Sequence, residues 1–365
     1  MNRPSMRSLA LAFPKTIRPN EFWQINYPSV VETAASRSLA RLWRGQDAQS
    51  TFEQTMAEYA RDPFKGALER RVLGDGDSAV ELEAVAAAEA MAAAGAGVDD
   101  IDLVIVSAMR PDSHAVGDAA FLVQRLGLRC PAINLETACA SSVAGYDLAS
   151  ALISAGRHRR ILVVASCTYS RDIDESDSLA WFLADGAGAF VVDADRPDAG
   201  WLGSKAITTA ETCGAFVHEL AVVDGEPTLV MSASSNAGKI LHDSAEPFLN
   251  TCCRGAAEAA GVGLDDIAFF VFNTPTAWYA EFGAKVLGVD RERTISSYPI
   301  YTNIGPALMP ANLYHAAAQG RIQPGDLVML YAVGSASTAM SVVMRWGECE
   351  LGTPPVPSAS GHVPH

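Results

Sequence analysis

Apolar residues fall along the chain in two alternating patterns: short continuous runs, and longer stretches with apolar positions three or four apart. The first pattern reads as buried strands and the second as helices. Strands are predicted at Leu9 to Phe13, Leu103 to Ser107, Pro131 to Leu135, Ile161 to Ser166, Ala189 to Asp193, Phe269 to Asn273, Leu327 to Val333 and Met340 to Trp346. Pro14 ends the first, Asp185-Gly186-Ala187-Gly188 opens the fifth, and Met340 to Trp346 is expected to be the last. Helices are predicted over Ala79 to Ala94, Asp118 to Leu126, Ala140 to Ala155, Ala237 to Gly261, Thr276 to Leu287 and Asn312 to Gly320, with Gly95 and Gly127 closing the first two. Residues 20 to 70, aromatic and mixed in charge, predict helices and loops around an entrance. Thr353 to His365 carries four prolines and no apolar period, the composition of a disordered tail.

The pattern repeats itself. Gly97-Val98-Asp99-Asp100-Ile101-Asp102-Leu103-Val104-Ile105-Val106 resembles Gly263-Leu264-Asp265-Asp266-Ile267-Ala268-Phe269-Phe270-Val271-Phe272, and an Ala-rich helix precedes each. Cys139 lies 17 residues before Gly156, and Asn303 lies 17 before Gly320; each glycine ends a helix and leads through an Arg into a strand. An internal duplication follows. Its halves are residues 1–200 and 201–350, with 351–365 as the tail. Equivalent loops of two such halves face each other, which brings Cys139, Asn303 and the strand end at Asn273 towards one cleft.

Composition narrows the function classes. The 365 residues are enough for two or three domain-sized units around a large core. A net charge of −15 argues against nucleic acid and against anionic membranes, and an acidic partner would need a local basic patch. No stretch reaches the roughly 18 uninterrupted apolar residues of a membrane span. Ser8 to Phe13 is too short for a secretory core and reads as strand. The seven cysteines, an odd number without metal-ligand spacing, favour a reducing, cytoplasmic setting, and no metal is expected.

One cysteine stands apart from the others, which read as packing residues. Cys139 sits between the strand ending at Leu135 and the helix beginning at Ala140, at or near a helix N-terminus. The unpaired N–H groups there favour a thiolate, so a lowered thiol pKa is expected. Ala138, Ala140, Ser141 and Ser142 leave room for a substrate above the sulfur. From these residues alone, nucleophile and buried filler remain equally open readings. Glu136, three residues earlier, reads as a structural hydrogen-bonding group.

Thr137-Ala138-Cys139-Ala140-Ser141, Leu183-Ala184-Asp185-Gly186-Ala187-Gly188-Ala189, Tyr301-Thr302-Asn303, Gly320 to Asp326 and Gly334-Ser335-Ala336 together resemble the thiolase superfamily. Within it, the likeness is to the ketoacyl-acyl-carrier-protein synthase III-like enzymes, over nearly the whole chain. The resemblance implies an α/β protein with the thiolase-like five-layered α/β/α/β/α fold of two duplicated halves, acting as a homodimer. It implies that Cys139 accepts an acyl group from acyl carrier protein phosphopantetheine or a coenzyme A thioester, both of them substrates, with no cofactor. It further implies that Asn303 supports the chemistry, and that the N–H groups of Cys139 and Ser335 form an oxyanion hole.

The departures bear on function. The family's histidine, about 30 residues before the asparagine, falls here at Asn273 in Asn273-Thr274-Pro275-Thr276. An amide donates a hydrogen bond to a thioester carbonyl but neither accepts a proton nor carries charge. Trp278 stands where the family often has a carrier-docking arginine, and with Thr274 it is a candidate substrate contact. His114 and His218 are candidates near the cleft or over its entrance, whereas His242 and His315 read as helix residues, His315 on an outer face. Three readings compete: an acyltransferase of polyketide or other specialised-metabolite biosynthesis, passing the acyl group to an alcohol, amine or thiol acceptor; a decarboxylative condensing enzyme; and a non-catalytic partner subunit. The intact cysteine turn disfavours the third.

Overall fold

The computed structural model describes residues 3–44, 50–196, 198–223, 225–334 and 338–365. The chain opens with strand β1 (Ser5–Ala12). Next, the antiparallel pair β2 (Thr16–Pro19) and β3 (Glu69–Val72) encloses helices α1 (Asn20–Asn26), α2 (Pro28–Arg44) and α3 (Thr51–Ala57). Then come α4 (Ala79–Ala93), β4 (Leu103–Met109), α5 (Ala119–Leu126), β5 (Ala132–Asn134), α6 (Ser141–Ser154), β6 (Arg160–Thr168) and β7 (Asp185–Asp193). The second half runs β8 (Gly200–Thr208), the hairpin β9 (Phe216–Val223) and β10 (Glu226–Ala233), α7 (Ala237–Ala260), β11 (Phe269–Phe272) and α8 (Tyr279–Leu287). It finishes with α9 (Tyr298–Tyr301), α10 (Leu308–Ala318), β12 (Leu327–Val333), β13 (Thr338–Arg345) and β14 (Glu350–Leu351).

The two larger sheets repeat one topology. The first has the order β14-β1-β7-β6-β4-β5 and the second β11-β12-β13-β8. Thus β1, β7, β6 and β4 correspond to β8, β13, β12 and β11. Within these four strands, β6–β4 and β12–β11 are parallel and the other two pairings in each sheet are antiparallel. Even β5 has a counterpart, a parallel bridge between Phe270 and Thr294.

Strand alternation builds the layers. In β4, Leu103 and Ile105 face a central core while Val104 and Val106 face an outer one. In β11, Phe269 and Val271 face the same central core while Phe270 and Phe272 face outwards. Helices α6 and α10 fill the centre, α4 and α5 cover the first sheet, and α7 and α8 cover the second. The result is the five-layered α/β/α/β/α fold. Burying each large apolar side chain in these layers stabilises by about 1.5–3 kcal/mol.

Element ends follow local chemistry. Ser78 caps α4 through the Glu81 N–H, and left-handed glycines 127, 261 and 288 close α5, α7 and α8. Helix α10 starts at Leu308, earlier than expected, because Pro310 in its first turn removes no intrahelical bond. The Asp185 to Gly188 stretch lies within β7 rather than before it. Strand β8 and the β9–β10 hairpin were not predicted: β8 carries no continuous apolar run, and the short runs Leu220 to Val223 and Leu229 to Met231 are exposed or half-exposed.

The tail departs most from its reading. It is not disordered: β14 pairs with β1, and the carbonyls of Val356 and Pro357 accept from Arg71, which is almost wholly buried. Glu69 accepts from the Ser360 N–H, Gln319 donates to Pro364, and the His365 carbonyl accepts from the Ser296 N–H. Composition reports the missing apolar period but not the polar groups elsewhere that need these carbonyls as partners.

Candidate active site

The parallel strands aim their carboxyl ends at one place, as in other open α/β sheets. Cys139 follows β5, Tyr169 follows β6, Asn273 follows β11 and Gly334 follows β12. Between β5 and α6 the chain makes a single 3-10 turn, Ala138–Ala140, with Ala138 at φ +51°. A non-glycine residue rarely sits there. Ser141 holds the turn by accepting from the Thr137 N–H (2.9 Å) and donating to the Ala138 carbonyl (2.7 Å), and the Glu136 carboxylate accepts from the Ala138 N–H. Glu136 thus has the structural role expected of it. A Cβ on Gly334 would lie 2.1 Å from the Thr137 carbonyl, so the end of β12 closes against this turn.

Asn303 repeats the arrangement. The residue before it, Thr302, has φ +52°, and a 3-10 turn (Gly305–Ala307) leads into α10 as Ala138–Ala140 leads into α6. The duplication therefore reproduces strained backbone just before both residues.

The Cys139 thiol does not have the lowered pKa expected from its position. Burial pushes it up to about 11, Glu136 adds to the rise, and the Tyr169 hydroxyl and Cys139's own N–H oppose it. A helix N-terminus contributes only about 0.3–1 kcal/mol to an anion, which desolvation in an apolar setting exceeds. The Cys139 thiol is therefore predominantly protonated at neutral pH.

Gly305 organises the polar groups beside it. Its N–H donates to Asn303 Oδ1 (2.9 Å), and its carbonyl accepts from Asn273 Nδ2 (3.0 Å). Asn273 Nδ2 donates also to the Cys139 carbonyl (3.0 Å). Both amide hydrogens of Asn273 are thereby committed to main-chain carbonyls, so it has no hydrogen left for a thioester oxygen. Gly305 has φ +56°, and a Cβ there would lie 3.1 Å from Cys167 Sγ. Position 305 needs glycine for both reasons.

The remaining candidates divide. Thr274 is wholly buried and accepts from Asn312, which also bonds the Phe272 carbonyl and Ser297. Trp278 is buried among Phe52, Tyr279 and Phe282. Both are core residues rather than substrate contacts: the chain after β11 turns into the outer layer, where α3 covers it. His218 stacks on Tyr169 and lies 3.6 Å from the buried Asp172, which Arg110 pairs at 2.8 Å; Arg110 in turn contacts the exposed His114. Burial lowers the His218 pKa and Asp172 opposes the shift. His242 bonds Ser50 and Asp243 in a surface cleft. His315 is not on an outer face but packs on Tyr301, bonds its hydroxyl and is pushed down to about 4 by burial. Ser335 lies outside the described residues.

Tyr169, Gly305, Cys167 and Asp172 escaped the sequence reading. The usable signal was position: Tyr169 lies just beyond the end of a central parallel strand, and Gly305 two residues past Asn303. Among the described residues no group of three or more His, Cys, Asp or Glu is placed to hold a metal ion, and no helix is long and apolar enough to cross a membrane.

Comparison with known proteins agrees with this layout. Residues 133–210 match the model of 3-oxoacyl-[acyl-carrier-protein (ACP)] synthase III, and residues 257–346 match that of its C-terminal part. The beta-ketoacyl-[acyl-carrier-protein] synthase III of Sinorhizobium medicae (strain WSM419) is 33% identical over 290 residues, covering 77% of this chain and 88% of that protein. The protein of that name from Rhizobium meliloti (strain 1021) is 32% identical with the same coverage. Among solved structures, 3-oxoacyl-(acyl carrier protein) synthase III, FabH, from Pseudomonas aeruginosa PAO1 superposes with a TM-score of 0.78 at 23% identity, covering 96% of this chain and 100% of that one. Cerulenin-bound OleA of Xanthomonas campestris superposes with a TM-score of 0.74 at 18% identity, covering 95% and 98%. These two structural likenesses bear on the fold alone.

Proposed function

The chain belongs to the 3-oxoacyl-[acyl-carrier-protein] synthase III family, and from that premise we propose that it transfers an acyl group from an acyl-carrier-protein or coenzyme A thioester, through Cys139, to a small-molecule acceptor. In the first half-reaction Cys139 Sγ attacks the thioester carbon, the new C–S bond forms, and the donor thiolate leaves with the cysteine's proton. In the second, the acceptor's oxygen, nitrogen or sulfur attacks the acyl-cysteine, the C–S bond breaks, and the acceptor's proton returns to Sγ. The Tyr169 hydroxyl, which favours the thiolate form of Cys139, stabilises the leaving thiolate in that step.

One observation carries this reading over condensation. Decarboxylation of a malonyl thioester builds negative charge on its carbonyl and needs donors there. Asn273, at the position of the family's histidine, has both hydrogens engaged elsewhere. Condensation retains one supporting observation, the Asn303 amide nitrogen, which has no partner among the described residues. A place in polyketide or other specialised-metabolite biosynthesis, and a homodimer joined along the sheet edge where β5 exposes Ile133, belong to the same proposal. A monomer mass by light scattering at micromolar concentration would remove the dimer.

The test is intact-protein mass after incubation with acyl thioesters, alongside carbon dioxide release from malonyl-coenzyme A. The parent protein should gain the acyl mass and Cys139→Ala should not. Rapid carbon dioxide release with a 3-ketoacyl product would replace transfer by condensation.

A further inference from the structure

Gly305 gives the two site amides opposite roles. Its N–H occupies Asn303 Oδ1 and leaves that side chain's nitrogen unspent among the described residues. Its carbonyl, with that of Cys139, occupies both hydrogens of Asn273 Nδ2. Among the described residues Asn273 Oδ1 has no partner, in a residue only 2% exposed. The amide orientation is forced by its surroundings: turned over, Oδ1 would face two carbonyl oxygens at hydrogen-bond distance and both would repel it. A buried acceptor without a partner is destabilising. It lies on the side chain that bridges the nucleophile's own residue to the Asn303 loop. The described residues of the site therefore offer one donor and one acceptor, and the acceptor has no complement in a thioester carbonyl.

We propose that Asn273 Oδ1 receives the O–H or N–H hydrogen of the acceptor substrate and holds that group for attack on the acyl-Cys139 carbonyl, so that the acceptor class is a hydroxyl or amine. This rests on the transferase reading and names its second substrate. The forming bond joins the acceptor's oxygen or nitrogen to the acyl carbon, and the breaking bond is C–S. Asn273 cannot take the proton, which goes to the departing Cys139 sulfur. A thiol that burial raises to about 11 is a thiolate basic enough to recover it. Asn303 Nδ2 is the complementary donor, for the thioester oxygen on which charge develops. A malonyl carbanion brings no such hydrogen and gains nothing from Oδ1.

The experiment separates the half-reactions. Purified protein is acylated with hexanoyl-coenzyme A, the rate being followed by intact mass, then freed of donor and chased with ethanolamine, glycerol or malonyl-coenzyme A. The parent should discharge to ethanolamine or glycerol faster than acyl-cysteine is lost in buffer. In Asn273→Ala the discharge rate should fall at least tenfold further than the acylation rate. Asn273→Ser, whose hydroxyl can donate to one of the two carbonyls and still accept a hydrogen, should discharge faster than Asn273→Ala. Equal losses in both half-reactions would mark Asn273 as a structural staple for the Cys139 carbonyl and overturn the inference alone. So would discharge by Asn273→Ser no faster than by Asn273→Ala. Discharge of the parent only to malonyl-coenzyme A, with carbon dioxide release, would overturn the transferase reading beneath it. If Asn273→Ala does not fold, the discharge-to-acylation ratio of Asn273→Ser decides: a ratio within a few-fold of the parent's supports the inference, and a tenfold drop refutes it.

Discussion

Removing the Tyr169 hydroxyl should slow Cys139, and the size of the effect can be worked out. With the thiol near pKa 11, about one molecule in 10⁴ carries the thiolate at pH 7. Tyr169 is a side-chain group that lowers this value, and a hydrogen bond to a charged group contributes roughly 1.5–3 kcal/mol. At about 1.4 kcal/mol per pKa unit, Tyr169→Phe should raise the thiol by one to two units and cut the thiolate population ten- to a hundredfold at fixed pH. A more basic thiolate is a better nucleophile, with a Brønsted slope of about 0.4–0.5, so roughly half of that loss returns. The net expectation is about a three- to tenfold slower reaction with a small aromatic disulfide. The assay follows release of the aromatic thiol from pH 7 to pH 10, and the Cys139→Ala trace is subtracted to remove the exposed Cys213. The sign is set by burial favouring the protonated form. The rate should therefore climb about tenfold per pH unit without levelling in this range. A plateau by pH 8 would mean that the helix N-terminus outweighs desolvation, and an unchanged rate in Tyr169→Phe would remove Tyr169 from the site.

Two further outcomes test the framework that holds the site. Asn312→Ala removes two donated and two accepted hydrogen bonds from a wholly buried side chain joining α10 to the end of β11. It should cost about 2–4 kcal/mol, seen as a lower urea midpoint at constant slope; a cost under 1 kcal/mol would show that the join is not rigid. Gly305→Ala should lose about 1–2 kcal/mol from its left-handed backbone and more from the contact with Cys167, and Cys167→Ala in the same chain should recover part of the second component. Simple additivity of the two substitutions in a urea melt would refute the contact.

Strand and helix placement was legible in the sequence because it depends on local periodicity. Val104 and Val106 facing one core while Leu103 and Ile105 face another is already a consequence of the two-residue period. The duplication was legible for the same reason, since two copies of one pattern must build two copies of one sheet. So was the meeting of Cys139, Asn273 and Asn303, because it follows from the ends of equivalent strands. Half-exposed strands such as β8, β9 and β10 lack that periodic signal, and the tail is held by donors on Arg71, Gln319 and the Ser296 main chain, far from it in sequence.

Which groups are available can be read along the chain: a thiol before a helix, two amides, and no histidine in the expected place. The state of those groups depends on how the layers pack around them. Proximity to a helix N-terminus can be read along the chain, but the desolvation that overrides it at Cys139 comes from residues brought in by other strands. An asparagine contains a donor and an acceptor side by side, and nothing local selects between them. Two carbonyls, one from each half of the molecule, take the hydrogens of Asn273 and leave its oxygen. That choice is a property of the assembled cleft, because hydrogen bonds between distant segments exist only once the layers have packed.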